Sequence, residues 1–249
     1  MYSMEDIIGG KHSVLEALRS GRTINKIWIA DNAQKHHVQP IIAEAKNAGI
    51  IIQTADKRKL DQMAQGVAHQ GVVAQVAPYD YAGVDDLLAR AREKGEAPFL
   101  LILDEIEDPH NLGSILRTAD CAGAHGIIIP KRRSVGLTAT VSKISAGAVE
   151  YVPVAKVTNL SQTIDELKKA GVWVVGADVH TDKMLYDVDF TMPIAIVIGN
   201  EGKGMGRLVK ESCDFNVKLP MAGQINSLNA SVAASIFMYE AVRQRLPQK

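Results

Sequence analysis

Cysteine is scarce in this chain, which has two among 249 residues, Cys121 and Cys213. Each lies in an apolar or helix-like stretch, so nothing indicates a disulfide framework, and a reducing cytosol fits best. An excess of charge of either sign is also missing. Lysine plus arginine and aspartate plus glutamate each count 28, giving a formal net charge of zero. That balance argues against a histone-like protein that binds nucleic acid by neutralising many phosphates at once. Two local basic runs remain, Lys57-Arg58-Lys59 and Lys131-Arg132-Arg133; on their own such runs read more readily as solvated faces. No apolar run approaches the length of a membrane span. Residues 1–10 carry Glu5 and Asp6 and lack a basic region followed by an apolar one, so they do not read as a signal peptide. The seven histidines are scattered, with His36-His37 the one adjacent pair. Neither His-x-x-x-His nor Cys-x-x-Cys spacing occurs, so no metal site is expected.

What remains is an ordinary soluble composition, 47% hydrophobic and 22% charged. Its pattern alternates helix and strand. In the first third, Ser13–Arg19 places Val14, Leu15 and Leu18 on one helical face, and Lys26–Ala30 reads as a strand. Residues 36–48 read as a helix ended by Gly49, followed by Ile50-Ile51-Ile52 as a buried strand and by a further strand over 71–76. These make a small α/β domain over residues 1–76. Residues 77–97, punctuated by Pro78, Gly83 and Gly95, read as a linker carrying a short helix over 84–94. A second domain over residues 98–249 opens with Phe99-Leu100-Leu101-Ile102-Leu103-Asp104, a continuous apolar run of the kind that marks a strand buried on both faces. The theme recurs at 126–130, 172–178 and 194–199, with helices expected near 111–124, 158–170 and 204–212. Such alternation predicts a mainly parallel sheet flanked by helices, with ligands beyond the carboxyl ends of its strands. A last helix over 228–245 is expected to pack on the sheet through Leu228, Val232, Ile236 and Tyr239.

Three polar, glycine-bearing segments interrupt this pattern. In Asp104–Asp120, Asn111 is placed to cap a helix carrying Arg117. In Ile198–Gly206, glycines after an apolar strand suggest backbone approach to an anion. The spacing refuses a phosphate loop, because Met205 and Gly206 stand where Lys and Ser or Thr are needed, and the Gly-x-Gly-x-x-Gly spacing is absent too. In Leu219–Ser231, Pro220 and Gly223 form a turn and Ser227 is placed to cap the final helix, while Asn229 and Ser231 fall in its first turn.

Together, Asn-x-Gly-x-x-x-Arg at 111–117, Gly-Asn-Glu-Gly-x-Gly at 199–204, and Pro-Met-x-Gly followed by Ser-Leu-Asn-x-Ser at 220–231 resemble the three signature motifs of the SpoU/TrmH RNA 2'-O-ribose methyltransferases. The match spans about 98–246. Gly9–Leu18 and His69-Gln70-Gly71 resemble the substrate-binding domain that precedes the catalytic one in the family's 23S rRNA guanosine-2'-O-methyltransferases. The resemblance implies a SPOUT-type parallel sheet with a deep C-terminal trefoil knot, preceded by a small RNA-binding domain of the L7Ae/L30e kind. It also implies S-adenosylmethionine held by Gly199, Leu219 and Leu228 and near Gly176-Ala177, with Ile198 and Met221 beside it. A homodimer through the catalytic domain, with the active site at the interface, is implied too. By the same correspondence Arg117 activates the ribose hydroxyl, surrounded by Asn111, Glu201, Ser227 and Asn229.

Physical chemistry qualifies one role. A guanidinium stays charged in proteins and is a poor general base, so Arg117 fits better as a phosphate holder and stabiliser of the forming alkoxide. Glu201 is then expected to orient Arg117 or the loops, with base catalysis the lesser alternative. Transfer RNA in place of 23S rRNA stays open as substrate, as does a ribosome-assembly protein that binds RNA without catalysis.

Overall fold

The computed structural model describes residues 7–77 and 79–246. The reading of residues 1–6 as no part of a signal peptide, and of Pro78 as linker punctuation, lies outside the described residues. The chain divides into two compact units. One comprises the residues up to Asp80 with Gly136–Tyr151, the other Tyr81–Val135 with Val152–Lys249.

The first unit runs β1 (Ile7–Gly9), α1 (Lys11–Arg19), β2 (Ile24–Ala30), α2 (Lys35–Asn47), β3 (Ile52–Ala55), α3 (Lys57–Ala64) and β4 (Val72–Val76). Its sheet has the order β1-β4-β2-β3, with β4 antiparallel to both neighbours and β2 parallel to β3. Alternation along the central strands builds two cores. Ile27 and Ile29 of β2 join Val72 and Ala74 of β4 beneath Val14 of α1 and Ile41 of α2. On the opposite face, Trp28 and Val73 pack with Leu60 of α3. The run Ile50-Ile51-Ile52 departs from expectation. It leads into an edge strand, so only part of it is covered, and Ile51 is 61% exposed.

The second unit begins with α4 (Val84–Lys94), β5 (Phe99–Leu103), α5 (Pro109–Cys121) and β6 (Gly126–Pro130). The helix expected in a linker over 77–97 instead belongs to this unit's core, where Leu87 and Leu88 pack with Leu100 and Ile102. After β6 the chain joins the first unit through Gly136–Tyr151, which contains α6 (Ala139–Ile144). There Glu150 accepts hydrogen bonds from Arg22 (3.1 Å), Tyr79 (2.9 Å) and Ser20 (3.3 Å). The Arg22 guanidinium lies 3.4 Å from the Tyr79 ring centroid. Burial, then the charge of Glu150, raises the Tyr79 pKa, so the phenol keeps its proton and remains a donor.

Back in the second unit follow β7 (Val154–Val157), α7 (Leu160–Lys169), β8 (Trp173–Ala177), β9 (Ile194–Ile198), α8 (Arg207–Ser212), β10 (Phe215–Val217) and α9 (Ala230–Arg245). The sheet order is β10-β8-β9-β5-β6-β7 and every pairing is parallel. All five residues of β5 and of β9 are buried, as continuous apolar runs require. The last helix turns a different face inward from the one expected. Ala234, Phe237, Met238 and Ala241 are buried, whereas Val232 and Tyr239 are 46% and 50% exposed. Small alanines let α9 sit close, and Phe237 fills the space that the larger side chains were expected to fill.

Two polar groups fix the amino ends of the central strands. Arg245, at the end of α9, donates to the carbonyls of Phe190, Ala97, Pro98 and Met192. The buried imidazole of His125 accepts at Nδ1 from the Phe99 amide at 3.0 Å, so Nε2 carries the proton and donates to Glu96, also at 3.0 Å. Desolvation lowers the His125 pKa below 6.5, against the opposing pull of Glu96. The unfolded chain therefore takes up that proton more readily, and the stability His125 supplies is complete above pH 6.5 and is lost as pH falls below it. Accordingly, the unfolding free energy of His125→Asn should lie below wild type at pH 8, with the gap narrowing towards pH 5. Denaturant titrations across that range check it, and a gap independent of pH would show that His125 is not neutral in the fold.

Candidate active site

In a parallel sheet all carboxyl ends lie along one edge, and the loops that leave β8, β9 and β10 therefore meet there. Between them is a cavity of about 420 Å³. Ile198, Val217, Leu219, Leu228, Ala233 and Phe237 form its apolar walls, and Asp178, His180, Glu201, Lys203, Asn226 and Ser227 supply polar groups. An apolar pocket with a few convergent polar groups is the usual form of a small-molecule site.

The loop after β9 holds its shape through its own backbone. Asn200 and Gly204 exchange both amide–carbonyl hydrogen bonds, at 3.1 and 2.8 Å, and the Asn200 carboxamide oxygen accepts from Gly202 N at 2.9 Å. This fold-back brings the chain against Gly199. A Cβ there would stand 2.3 Å from the carbonyl carbon of Gly204 and 2.4 Å from Met205 N, so only glycine fits. Gly176 is crowded by side chains instead, a Cβ there lying 2.4 Å from Asn216 Oδ1 and 2.7 Å from Met205 Cε.

One carboxylate oxygen joins the three polar segments. Glu201 Oε1 accepts from Asn111 Nδ2 at 2.5 Å, Asn229 Nδ2 at 3.0 Å and Ala230 N at 3.3 Å. Asn229 Nδ2 also donates to Asn111 Oδ1 at 2.9 Å. The remaining oxygen of Asn229 caps α9 by accepting from Ser231 N and Val232 N. The cap is thus Asn229 and not Ser227, which lines the cavity instead. Likewise Asp108, followed by Pro109, caps α5, and Asn111 sits one turn in, buried. Pro at the first helical position and an acid at the cap favour that start over one at Asn111.

Of the residues expected around the cofactor, Gly199, Leu219, Leu228, Ala177, Ile198 and Met221 line the cavity, while Gly176 lies just behind Ala177. Of those expected in catalysis, Glu201 and Ser227 line it, and Asn111 and Asn229 reach it through Glu201. Arg117 stands apart. It is exposed on α5, does not line the cavity, and makes no hydrogen bond or ion pair with the described residues. It lies six positions along the helix from the buried Asn111, which leaves the two side chains on different faces.

Sequence reading missed Asp178, His180 and Lys210. Asp178 directly follows an apolar strand, as Asp104 does, and an acid at such a strand end was the available signal. Burial opposes ionisation of Asp178, yet the Lys210 ammonium and the His180 amide hold its carboxyl below the ordinary carboxylate value. Asp104 shows the opposite balance. Burial raises its pKa although Oδ2 accepts from Gly206 N at 2.7 Å. Among the described residues no cluster of His, Cys, Asp and Glu could hold a metal ion.

An all-parallel sheet with a cavity walled by three strand-end loops, knitted by Asn111, Glu201 and Asn229, is a small-molecule site at the place where α/β sheets hold their ligands. Residues 98–239 match the SpoU rRNA Methylase family, and residues 7–82 match the family described as RNA 2'-O ribose methyltransferase substrate binding. The chain belongs to the SpoU/TrmH RNA methyltransferases. It is 59% identical over 247 residues, 99% of each chain, to YacO of Bacillus subtilis (strain 168), which carries the name of a TrmH family tRNA/rRNA methyltransferase. A Staphylococcus haemolyticus protein of the same family name is 55% identical over 243 residues, 97% of each chain. Among solved structures, the SpoU methyltransferase AviRb from Streptomyces viridochromogenes, in complex with AdoMet, is similar with a TM-score of 0.79 and 27% identity, over 96% of this chain and 89% of that one.

Removing the shared cap tests the cluster. Asn229→Ala should lower the unfolding free energy by about 1–2 kcal/mol. Asn229→Ser, which restores an oxygen at the cap, should recover most of that in urea titrations. Equal loss in both variants would place the contribution in the contacts to Asn111 and Glu201 instead.

Proposed function

We propose that the chain transfers a methyl group from S-adenosylmethionine to a ribose 2'-hydroxyl of RNA, a guanosine of 23S rRNA being the preferred substrate. The observation that carries this reading is the cavity at the carboxyl edge of the sheet, with the Asn111–Glu201–Asn229 cluster at its rim. The residues present suit the cofactor. Apolar walls from Ile198, Leu219, Leu228 and Phe237 match a purine. Gly199, Leu219 and Leu228 bring backbone to the cavity wall, and a volume of about 420 Å³ lies in the range for one nucleoside-sized ligand. When bound, S-adenosylmethionine supplies a sulfonium methyl open to attack by an oxygen nucleophile.

The chain's own residues have two tasks. The hydroxyl oxygen must be held in line with the methyl, and the charge developing on it must be stabilised as its proton leaves. Arg117 carries the guanidinium suited to both, a planar fork that binds a phosphate in two places. It lies outside the cavity of its own chain and has no partner among the described residues. In a homodimer through the catalytic domain, the arrangement the family implies, it serves the partner subunit's cavity. Glu201 orients the loops through Asn111 and Asn229, with Ser227 at the cavity wall. The proton passes to the substrate phosphate or another acceptor, since a guanidinium does not take it up.

On this reading the substrate-binding domain of residues 1–76 is completed by Gly136–Tyr151, and the catalytic domain of 98–249, without that segment, takes in the helix over 84–94, with the knot implied by family membership in its C-terminal part. Transfer RNA is the second reading, favoured by the double tRNA/rRNA name of the Bacillus relative. Incubation with labelled S-adenosylmethionine and, separately, 23S rRNA and total tRNA tests both. Label in the ribose of one of them is expected, and label in neither would overturn the enzyme assignment. Arg117→Lys keeps the charge and loses the fork. Its turnover should fall by about a hundredfold or more, a loss of the size seen when one oriented donor is removed, while S-adenosylmethionine binding by calorimetry stays intact. Unchanged turnover removes Arg117 from the chemistry.

A further inference from the structure

The first unit contains a second cavity, of about 680 Å³, and the basic run Lys57-Arg58-Lys59 opens beside it. Its floor is apolar, from Ala30, Ala33 and Val67, and its rim carries Lys11, Lys57, Asn32, Gln34 and Gln70. Neither lysine has a carboxylate partner among the described residues, and none of the three carboxamides makes a side-chain hydrogen bond to them. The one acid at the rim, Asp61, is already engaged. Gly71 N donates to His69 Nδ1 at 3.0 Å, so Nε2 carries the proton and donates to Asp61 Oδ1 at 2.9 Å. Between them Gln70 is held in the left-handed region, with φ +49°, a conformation that costs a non-glycine residue and that sets its side chain at the rim.

Unpaired cations and unpaired carboxamides around an apolar floor are the chemistry of a single-stranded nucleotide, whose phosphates attract lysine and whose base edge takes amide hydrogen bonds. We propose that this cavity takes one unpaired nucleotide of the RNA substrate, with its flanking phosphates against Lys11 and Lys57 and its base edge against Asn32, Gln34 and Gln70. The proposal rests on the reading of the chain as an RNA methyltransferase and names the place where the first unit grips its substrate.

Binding of the full-length protein to deproteinised 23S rRNA and to total tRNA, measured over a range of salt concentrations, tests it. Lys11→Ala/Lys57→Ala should bind the preferred RNA about tenfold more weakly. Its slope of log affinity against log salt should be shallower by about 1 to 1.5, the share of two phosphate contacts to a single strand. Lys46→Ala, an exposed lysine of the same unit away from the cavity, should change neither. Gln70→Gly relieves the backbone, so it folds at least as well, and should weaken binding with the salt slope unaltered. A double variant with wild-type affinity and slope, or one matched by Lys46→Ala, overturns the assignment, and an unaffected Gln70→Gly overturns its base-contact half. Calorimetry with S-adenosylmethionine should give wild-type binding in every variant. If wild type methylates RNA while the double variant binds normally, only the cavity assignment fails. If wild type methylates neither RNA, the methyltransferase reading fails.

Discussion

A single carboxylate oxygen of Glu201 holds the catalytic unit's working edge together. Three donors converge on it, from the first turn of α5, from the cap of α9 and from the first amide of α9. The position also suits a negative charge, because it lies against the amino end of a helix, where unsatisfied amides and the macrodipole favour an anion. The Asn200–Gly204 fold-back delivers Glu201 to that point, and the fold-back exists because Gly199 leaves room for it. The cavity's shape thus follows from a short chain of dependencies. A glycine permits a tight loop, the loop presents a carboxylate, and the carboxylate fixes two helix ends that come from distant parts of the chain.

At the opposite edge of the sheet a cation does comparable work. Arg245 closes α9 against four backbone carbonyls, and His125 satisfies the first amide of β5. The central strands are therefore anchored by polar groups at the end away from the cavity, which leaves their carboxyl ends free to carry loops. Buried polar groups need partners, and here the partners sit where a strand runs out of its own ladder.

The parts of the fold legible in sequence were those with a strong physical cause. Strands β5, β6 and β9 are buried on both faces, so they appear as continuous apolar runs with sharp ends. The family motifs were legible because three unusual segments fall in order at strand ends. Less legible were β7 and β10, short strands at the sheet edges carrying Lys156 and Asn216, where half-exposure blurs the pattern. Helix caps were misplaced because Asp108, Asn111, Ser227 and Asn229 are all good capping residues, and the choice among them depends on where the loop delivers the chain. The inward face of α9 was misread for a related reason. Close packing favours alanine, and alanines carry little periodic signal beside Val232 and Tyr239. The exposure of Arg117 follows from the helical turn, which sets it on a different face from the buried Asn111.

The first unit is not one continuous stretch of sequence. Gly136–Tyr151, supplied after β5 and β6, brings it Glu150, the common acceptor for Arg22, Tyr79 and Ser20. On a ribosome that makes the chain from its amino end, β1 to β4 emerge with Arg22 still lacking that carboxylate, and the unit waits for residues encoded well beyond it. Domains usually finish in order of synthesis. Here completion of the earlier one is deferred until part of the later one has been made, so the two halves of the protein share one schedule of assembly.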